Sequence, residues 1–250
     1  MISKQELDNL VKKYETEEFI KDDPIQFPHR YKTVSDIELA GFIASIFSYG
    51  NRKIFTKKLA ELFDLMDNEP TNFIKNNDFK LITERNINYR FYKPEDIVLL
   101  FNQLAKLYNS SKGLCELFCN CYNNDIETML RKVIDYFYTD ISECKGYKHM
   151  IPTGENCAMK RMNMFLRWMV RKSCVDLGVW DFIPTSELLI PLDVHVARLS
   201  REMNLVNTKT NTIKTVRELT SNLKKFDPND PVKYDFAIFG KGIEESHSKV

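Results

Sequence analysis

Lys160 and Asp193 of this 250-residue chain are an amine and a carboxylate, a pair of groups that can carry out covalent chemistry together. A lysine amine attacks carbon only in its neutral form, so a reactive lysine needs burial or a neighbouring cation to disfavour the ammonium. Arg161, next in the chain, supplies such a cation. A carboxylate such as Asp193 can accept the proton of the amine and stabilise positive charge that develops on a substrate.

Both residues also have an ordinary structural interpretation. Asp193 precedes an apolar helical pattern that begins at Val194, which makes it a natural helix N-cap, and the two roles are compatible. Lys160 lies in the segment CAMKRMNMFLRWMVRK, residues 157–172, where it could be one of several solvated lysines on a basic helix.

Positive charge is concentrated around Lys160. The chain carries a net charge of +1, yet residues 145–172 contain seven basic side chains opposed by Glu155 alone. A local stripe of this kind is what phosphate contacts need, and a solvated helix face is the alternative. The basic residues are Lys145, Lys148, Lys160, Arg161, Arg167, Arg171 and Lys172.

The elements that must position these residues read as helices. Apolar residues recur at helical spacing, alternating patterns are rare, and 8 glycines and 9 prolines are few for a protein of many strands and turns. The sequence therefore predicts an all-α fold. The segment 36–49, capped by Thr33 or Ser35, is apolar nearly all round and should be buried centrally. Further helices are predicted at 1–20, 52–66, 94–108, 112–121, 125–138, 157–172, 194–203, 212–223 and 231–239.

Composition limits the class of protein. The chain is 43% hydrophobic and 28% charged, which is typical of a globular protein. No apolar run approaches the roughly 20 residues of a membrane-spanning helix, and the charged N-terminus does not look like a secretory signal. Six cysteines without such a signal predict reduced thiols in a cytoplasmic protein, and the spacing of Cys115, Cys119 and Cys121 without a nearby histidine argues against zinc.

The segment IPLDVHVARLSREMNLV, residues 190–206, resembles the region of the helix-hairpin-helix DNA glycosylases that supplies an essential aspartate. The segment around Lys160 is similar to the helix that carries the Schiff-base lysine in the bifunctional members. The 33-residue separation of Lys160 from Asp193 is closest to the layout of the archaeal oxidised-guanine glycosylases. Residues 36–63 and 230–243 are similar to the first core helix and the closing helix of these enzymes. The whole chain also resembles a bacterial family of uncharacterised proteins.

This resemblance implies a two-lobed helical fold, with residues 1–250 forming one compact unit whose lobes would be 30–155, a helical barrel-like lobe, and 1–29 with 156–250. It implies excision of a damaged base flipped out of double-stranded DNA by a monomer, with or without strand cleavage through a Schiff base. Lys160 and Asp193 would be catalytic. The expected DNA-binding or base-binding residues are Tyr49, Asn51, Arg52, Arg161, Arg167, Trp168, Arg171, Trp180 and His195.

The chain departs from the family pattern in two places. The hairpin before the lysine is usually Gly-x-Gly, and here only Gly154 is present. The iron–sulfur loop of the endonuclease III group is absent because no cysteine follows Cys174, so no cofactor and no metal is expected.

Two other interpretations stay open: a nucleic-acid-binding protein that kept the fold and lost the chemistry, and a helical interaction protein. Both tryptophans can instead be core aromatics, and His195 a structural hydrogen-bonding residue. The acids Asp227, Asp230 and Asp235 are expected to cap the last helix.

Overall fold

The computed structural model describes residues 2–76, 79–141 and 145–247. Within these ranges the chain is all-α, as predicted: it forms helices and irregular segments, and its only β-type pairings are isolated bridges between Tyr89 and Tyr92 and between Lys172 and Leu177. No helix in the described part of the chain is both long and apolar enough to cross a membrane.

The chain divides into two compact units, Met1–Asp22 with Gly154–Val250 (unit 1) and Asp23–Thr153 (unit 2). In unit 1 the α-helices are α1 (Lys4–Tyr14), α2 (Glu17–Asp22), α11 (Lys160–Val170), α12 (Val194–Glu202), α13 (Ile213–Lys224) and α14 (Tyr234–His247). In unit 2 they are α3 (Val34–Phe47), α4 (Arg52–Leu65), α5 (Pro70–Asn76), α6 (Lys80–Glu84), α7 (Pro94–Ser110), α8 (Leu114–Cys121), α9 (Ile126–Tyr138) and α10 (Lys145–Met150). Short 3-10 helices occupy Pro24–Gln26, Pro28–Arg30, Thr185–Glu187 and Pro231–Lys233.

Helix α3 is the centre of unit 2, because every residue from Ile37 to Phe47 is buried. The side chain of Thr33 caps it by accepting a hydrogen bond from the backbone of Asp36, at 3.3 Å, while Ser35 lies inside the helix. Phe42 stacks on Phe137 of α9 with ring centroids 5.0 Å apart. An apolar surface on all sides of a helix is stable only when neighbouring helices cover it, which explains its central place.

Unit 1 is built around α14, which packs against both α1 and α12. The two helices α14 and α12 approach closely at Gly242, where an added side-chain carbon would lie 3.0 Å from the Cβ of His195. Helix α1 begins with a capping box in which the side chains of Ser3 and Glu6 each bind the backbone of the other. The capping box fixes the residue at which α1, a neighbour of α14, begins.

Candidate active site

Lys160 is the first residue of α11, and the turn before the helix sets its position. The backbone N–H of Cys157 donates to the carbonyl of Gly154 at 2.9 Å, which closes the turn. Met159 follows in the left-handed conformation, with φ +47°, a region in which residues other than glycine are uncommon. The partial positive charge at the start of a helix disfavours a further positive charge beside it, so this position suits a lysine that must react as a neutral amine.

Asp193 caps α12, as the sequence predicts. Its Oδ1 accepts a hydrogen bond from the backbone N–H of Val196 at 2.8 Å, and the side chain is half-buried. Capping uses one carboxylate oxygen and fixes the direction of the other. The next residue, Val194, is 69% exposed, so an apolar side chain open to solvent lies directly beside the carboxylate.

Asp235, near the start of α14, is a buried acid on which the charges of Lys160 and Asp193 both have an effect. Its Oδ2 binds the guanidinium of Arg167, and the side chain is buried. Burial raises the pKa of Asp235 to about 7; Arg167 and Lys160 oppose this rise, and the negative charge of Asp193 adds to it. Lys160 and Asp193 are therefore both near enough to act electrostatically on one buried carboxylate.

The prediction that Asp235 caps the last helix is wrong. The cap of the preceding 3-10 turn is Asp230, whose Oδ1 accepts from the backbone of Lys233 at 3.2 Å. Asp235 lies inside α14 and carries an internal ion pair instead. The sequence carried no local signal for this pairing, because Arg167 and Asp235 are 68 positions apart.

The interpretation of residues 145–172 as one basic stripe open to phosphates does not hold for Arg167 and Arg171. Their side chains are 4% and 7% exposed. Arg167 Nε lies 3.1 Å from Asp176 Oδ1, and Arg171 Nη1 lies 2.9 Å from Asp176 Oδ2. Arg171 also binds Glu15 and Asp230. A guanidinium enclosed by carboxylates has no face left for a DNA phosphate, so these two residues hold unit 1 together.

Both tryptophans of the chain lie in the core. Trp168 is fully buried, and Trp180 is 2% exposed with its ring edge-on to Phe165 at 5.3 Å. Neither ring presents a face to solvent, so the expected role in stacking on a flipped base is wrong and the core interpretation applies. His195 is half-buried, and its ring meets that of Phe239 at 6.4 Å.

At the start of α11, Arg161 is half-buried. Its expected contact with DNA and its influence on Lys160 stay predictions.

In unit 2, Tyr49, Asn51 and Arg52 mark the junction of α3 and α4. Asn51 caps α4, its Oδ1 accepting from Ile54 at 3.3 Å, and Arg52 is half-buried. Gly50 has φ +91°, and an added Cβ would lie 2.1 Å from a guanidinium nitrogen of Arg90. This position requires glycine both for its backbone conformation and for the space that Arg90 occupies.

Tyr49 belongs to an exposed cluster that the sequence did not reveal. The guanidinium of Arg90 lies 4.7 Å from the centre of the Tyr49 ring, and the Phe91 ring stacks on His149 at 4.6 Å. Tyr49 and Phe91 are 43% and 49% exposed. We call Tyr49, Arg90, Phe91 and His149 the aromatic patch. Aromatic faces beside a cation are typical of surfaces that stack nucleic-acid bases.

The described residues contain no group of three or more histidine, cysteine, aspartate or glutamate side chains placed to hold a metal ion. The cysteines whose structure is described, Cys115, Cys119, Cys121, Cys157 and Cys174, are free thiols. Cys144 lies outside the described residues. The candidate site therefore consists of Lys160, Asp193 and Asp235.

The fold and the site define an all-helical protein in which a lysine at a helix start and a capping aspartate share one unit with a buried acid. The chain belongs to the DUF2400 family, described as proteins of unknown function, whose family model matches residues 23–244. Neither the curated proteins nor the solved structures include a match to this chain.

Proposed function

We propose that this protein is a DNA repair glycosylase that excises a damaged base through an imine on Lys160, assisted by Asp193. The observation that carries the proposal is the layout of unit 1, in which Lys160 begins α11, Asp193 caps α12, and the buried carboxylate of Asp235 on α14 binds Arg167 of the helix that Lys160 begins. The resemblance to the helix-hairpin-helix DNA glycosylases, with their two-lobed fold, is part of the proposal. So are a cytoplasmic location, a monomeric state and double-stranded DNA as the substrate.

The chemistry assigns each group a role. The neutral amine of Lys160 attacks C1′ of the nucleotide, and the bond from C1′ to the base breaks with its electron pair leaving on the base. The nitrogen, now bonded to C1′, then forms a double bond to it as the bond from C1′ to the ring oxygen breaks, and the proton that leaves the nitrogen goes to that oxygen. Asp193 bears a negative charge beside the sugar while positive charge develops there, and its capping bond to Val196 holds it in place.

A second function, non-catalytic binding of nucleic acid, is favoured by the aromatic patch of unit 2. Exposed rings beside Arg90 suit base stacking whether or not any reaction takes place. Under this alternative Lys160 and Asp193 would be structural residues only.

Borohydride trapping on oligonucleotides that carry different damaged bases tests the proposal. Reduction of the imine links the protein covalently to DNA, so the wild-type chain should form a trapped complex with at least one lesion. Lys160→Gln should form none while it still binds DNA. Lys172→Gln is the matched control, because this exposed lysine ends the same basic segment, and it should trap like the wild type. A wild-type protein that binds DNA but traps and excises nothing would favour the non-catalytic alternative.

A further inference from the structure

We propose that Asp235 is the proton acceptor for Lys160, a third member of the site that takes a proton from the lysine and passes it to the departing base. The identity of the substrate in this inference rests on the proposed function, whereas the proton transfer between Lys160 and Asp235 does not. The coupling is a property of the folded protein alone and can be measured without DNA.

The geometry of α11 relates Lys160 to Asp235. Lys160, Asn163 and Arg167 are spaced three and four residues apart, so they lie on one face of the helix. At one end of this face Arg167 binds Asp235 Oδ2 directly, with its guanidinium 4.3 Å from the centre of the neighbouring Phe236 ring. Arg167 therefore holds the carboxylate of Asp235 against the face of α11 whose first residue is Lys160.

The other oxygen of Asp235 is available to a proton. Oδ1 is buried and has no hydrogen-bond partner among the described residues, and the same is true of Oδ1 of Asn163, between Lys160 and Arg167. Buried acceptors are nearly always paired in folded proteins, so two unpaired ones at the helix face that begins with Lys160 call for an explanation. Acceptance of a proton from the ammonium of Lys160 explains the oxygen of Asp235.

The charges around Asp235 suit this role near neutral pH. The groups that face it are Arg167 and Lys160 from α11, Asp193 from the cap of α12, and Asp176 from the segment after α11. Burial outweighs the two cations and raises the pKa to about 7. A base whose pKa is near the working pH accepts a proton and releases it again efficiently, which an ordinary aspartate does poorly.

The proton transfer balances as follows. One N–H bond of the Lys160 ammonium breaks, a bond from Oδ1 of Asp235 to that proton forms, and the electron pair stays on nitrogen. That pair then attacks C1′ while the base departs with the pair of its own bond. The carboxylic acid of Asp235 returns its proton to the departing base, so the carboxylate is restored and Asp193 stays ionised throughout.

The test is the pH profile of Lys160 acetylation by trace acetic anhydride, read by mass spectrometry of the peptide that contains Lys160. Wild-type protein should show two ionisations between pH 5.5 and 9.5, because two coupled groups titrate together. Asp235→Asn should show one. At pH 8 the variant should react about ten-fold faster, since loss of a nearby negative charge makes the ammonium easier to deprotonate. Below pH 6 the two proteins should react alike, because Asp235 is then protonated in the wild type.

The matched control is Asp230→Asn, which removes a carboxylate from Arg171 and keeps the capping ability of the side chain. It should leave the Lys160 profile unchanged. If Asp235→Asn fails to fold, Asp235→Glu keeps the charge and should retain two ionisations. A single ionisation in the wild type would overturn the inference, as would an increase in Asp235→Asn that is equal at all pH values, which indicates only a looser structure.

Excision assays separate this inference from the proposed function. Asp235→Asn should slow excision at pH 7 by at least ten-fold although its lysine is acetylated faster at pH 8, a combination that simple loss of structure does not produce. If the acetylation result holds and the wild-type protein excises no base, the coupling of Lys160 to Asp235 stands and the glycosylase proposal fails.

Discussion

Arg167 and Arg171 in unit 1 and Arg90 in unit 2 lie in opposite environments. In unit 1, Arg167 and Arg171 are buried and saturated by carboxylates from Glu15, Asp176, Asp230 and Asp235. In unit 2, Arg90 is exposed and lies over the Tyr49 ring. The basic segment 145–172 is thus partly internal structure, while the exposed Arg90 comes from a segment without unusual charge. A cluster of basic residues in a sequence does not show whether carboxylates of the same protein or an anion of a binding partner neutralise it.

Removal of a buried guanidinium should have the largest effect on stability. Arg167→Met leaves Asp235 buried without its cation and leaves Asp176 with Arg171 alone, and breaking a buried pair on one side costs about 3–5 kcal/mol. Urea unfolding should show this loss. Lys172→Met, an exposed control from the same segment, should change the free energy of unfolding by about 0.5 kcal/mol or less. Equal stability of the two variants would mean that Arg167 is not a structural residue.

Replacement of an exposed ring should affect binding and not stability. Phe91→Ala and Tyr49→Ala should each weaken binding to duplex DNA that contains an abasic site by about ten-fold, since stacking on one base contributes about 1–3 kcal/mol. Fluorescence anisotropy at fixed salt measures this change.

The control for the aromatic patch is Val34→Ala, which removes another exposed apolar side chain of unit 2, 49% exposed in the wild type. Its affinity should match that of the wild type, and so should that of Lys160→Gln in unit 1. Unchanged affinity in both ring variants would show that the aromatic patch is not part of the DNA-binding surface. The exposure of Arg90 in unit 2 would then have no role in binding.

Local patterns predicted most of the helices, because the signals that start and bury a helix lie within it. Thr33 and Asp193 cap the helices that the sequence assigned to them, and the apolar segment after Thr33 is central. The unit boundaries at 22/23 and 153/154 lie near the expected lobe boundaries. The short helices α5, α6 and α10 were not predicted, since five to seven residues carry too little periodicity to be recognised.

The candidate site was predictable only where its residues carry their own motif. Asp193 lies in such a motif, and Lys160 was found through its similarity to a known layout. Asp235 was missed, because its role depends on Arg167, 68 positions earlier, and a pairing over that distance leaves no local pattern. The sequence left open whether Trp168 and Trp180 stack on a base or lie in the core, because neighbours distant in sequence decide whether a ring is covered; both are buried.

The exchange of Asp193 for asparagine tests the central claim most directly, because it separates the cap from the carboxylate. Asparagine is as good an N-cap as aspartate, so Asp193→Asn should keep the melting temperature of the wild type, whereas Asp193→Ala should lose about 0.5–2 kcal/mol of stability. On the lesion that the wild type excises, Asp193→Asn should react about 10²–10³-fold more slowly, because the negative charge that stabilises the developing positive charge on the sugar is gone. A variant that is as stable as the wild type and equally active would show that Asp193 is a helix cap and nothing more.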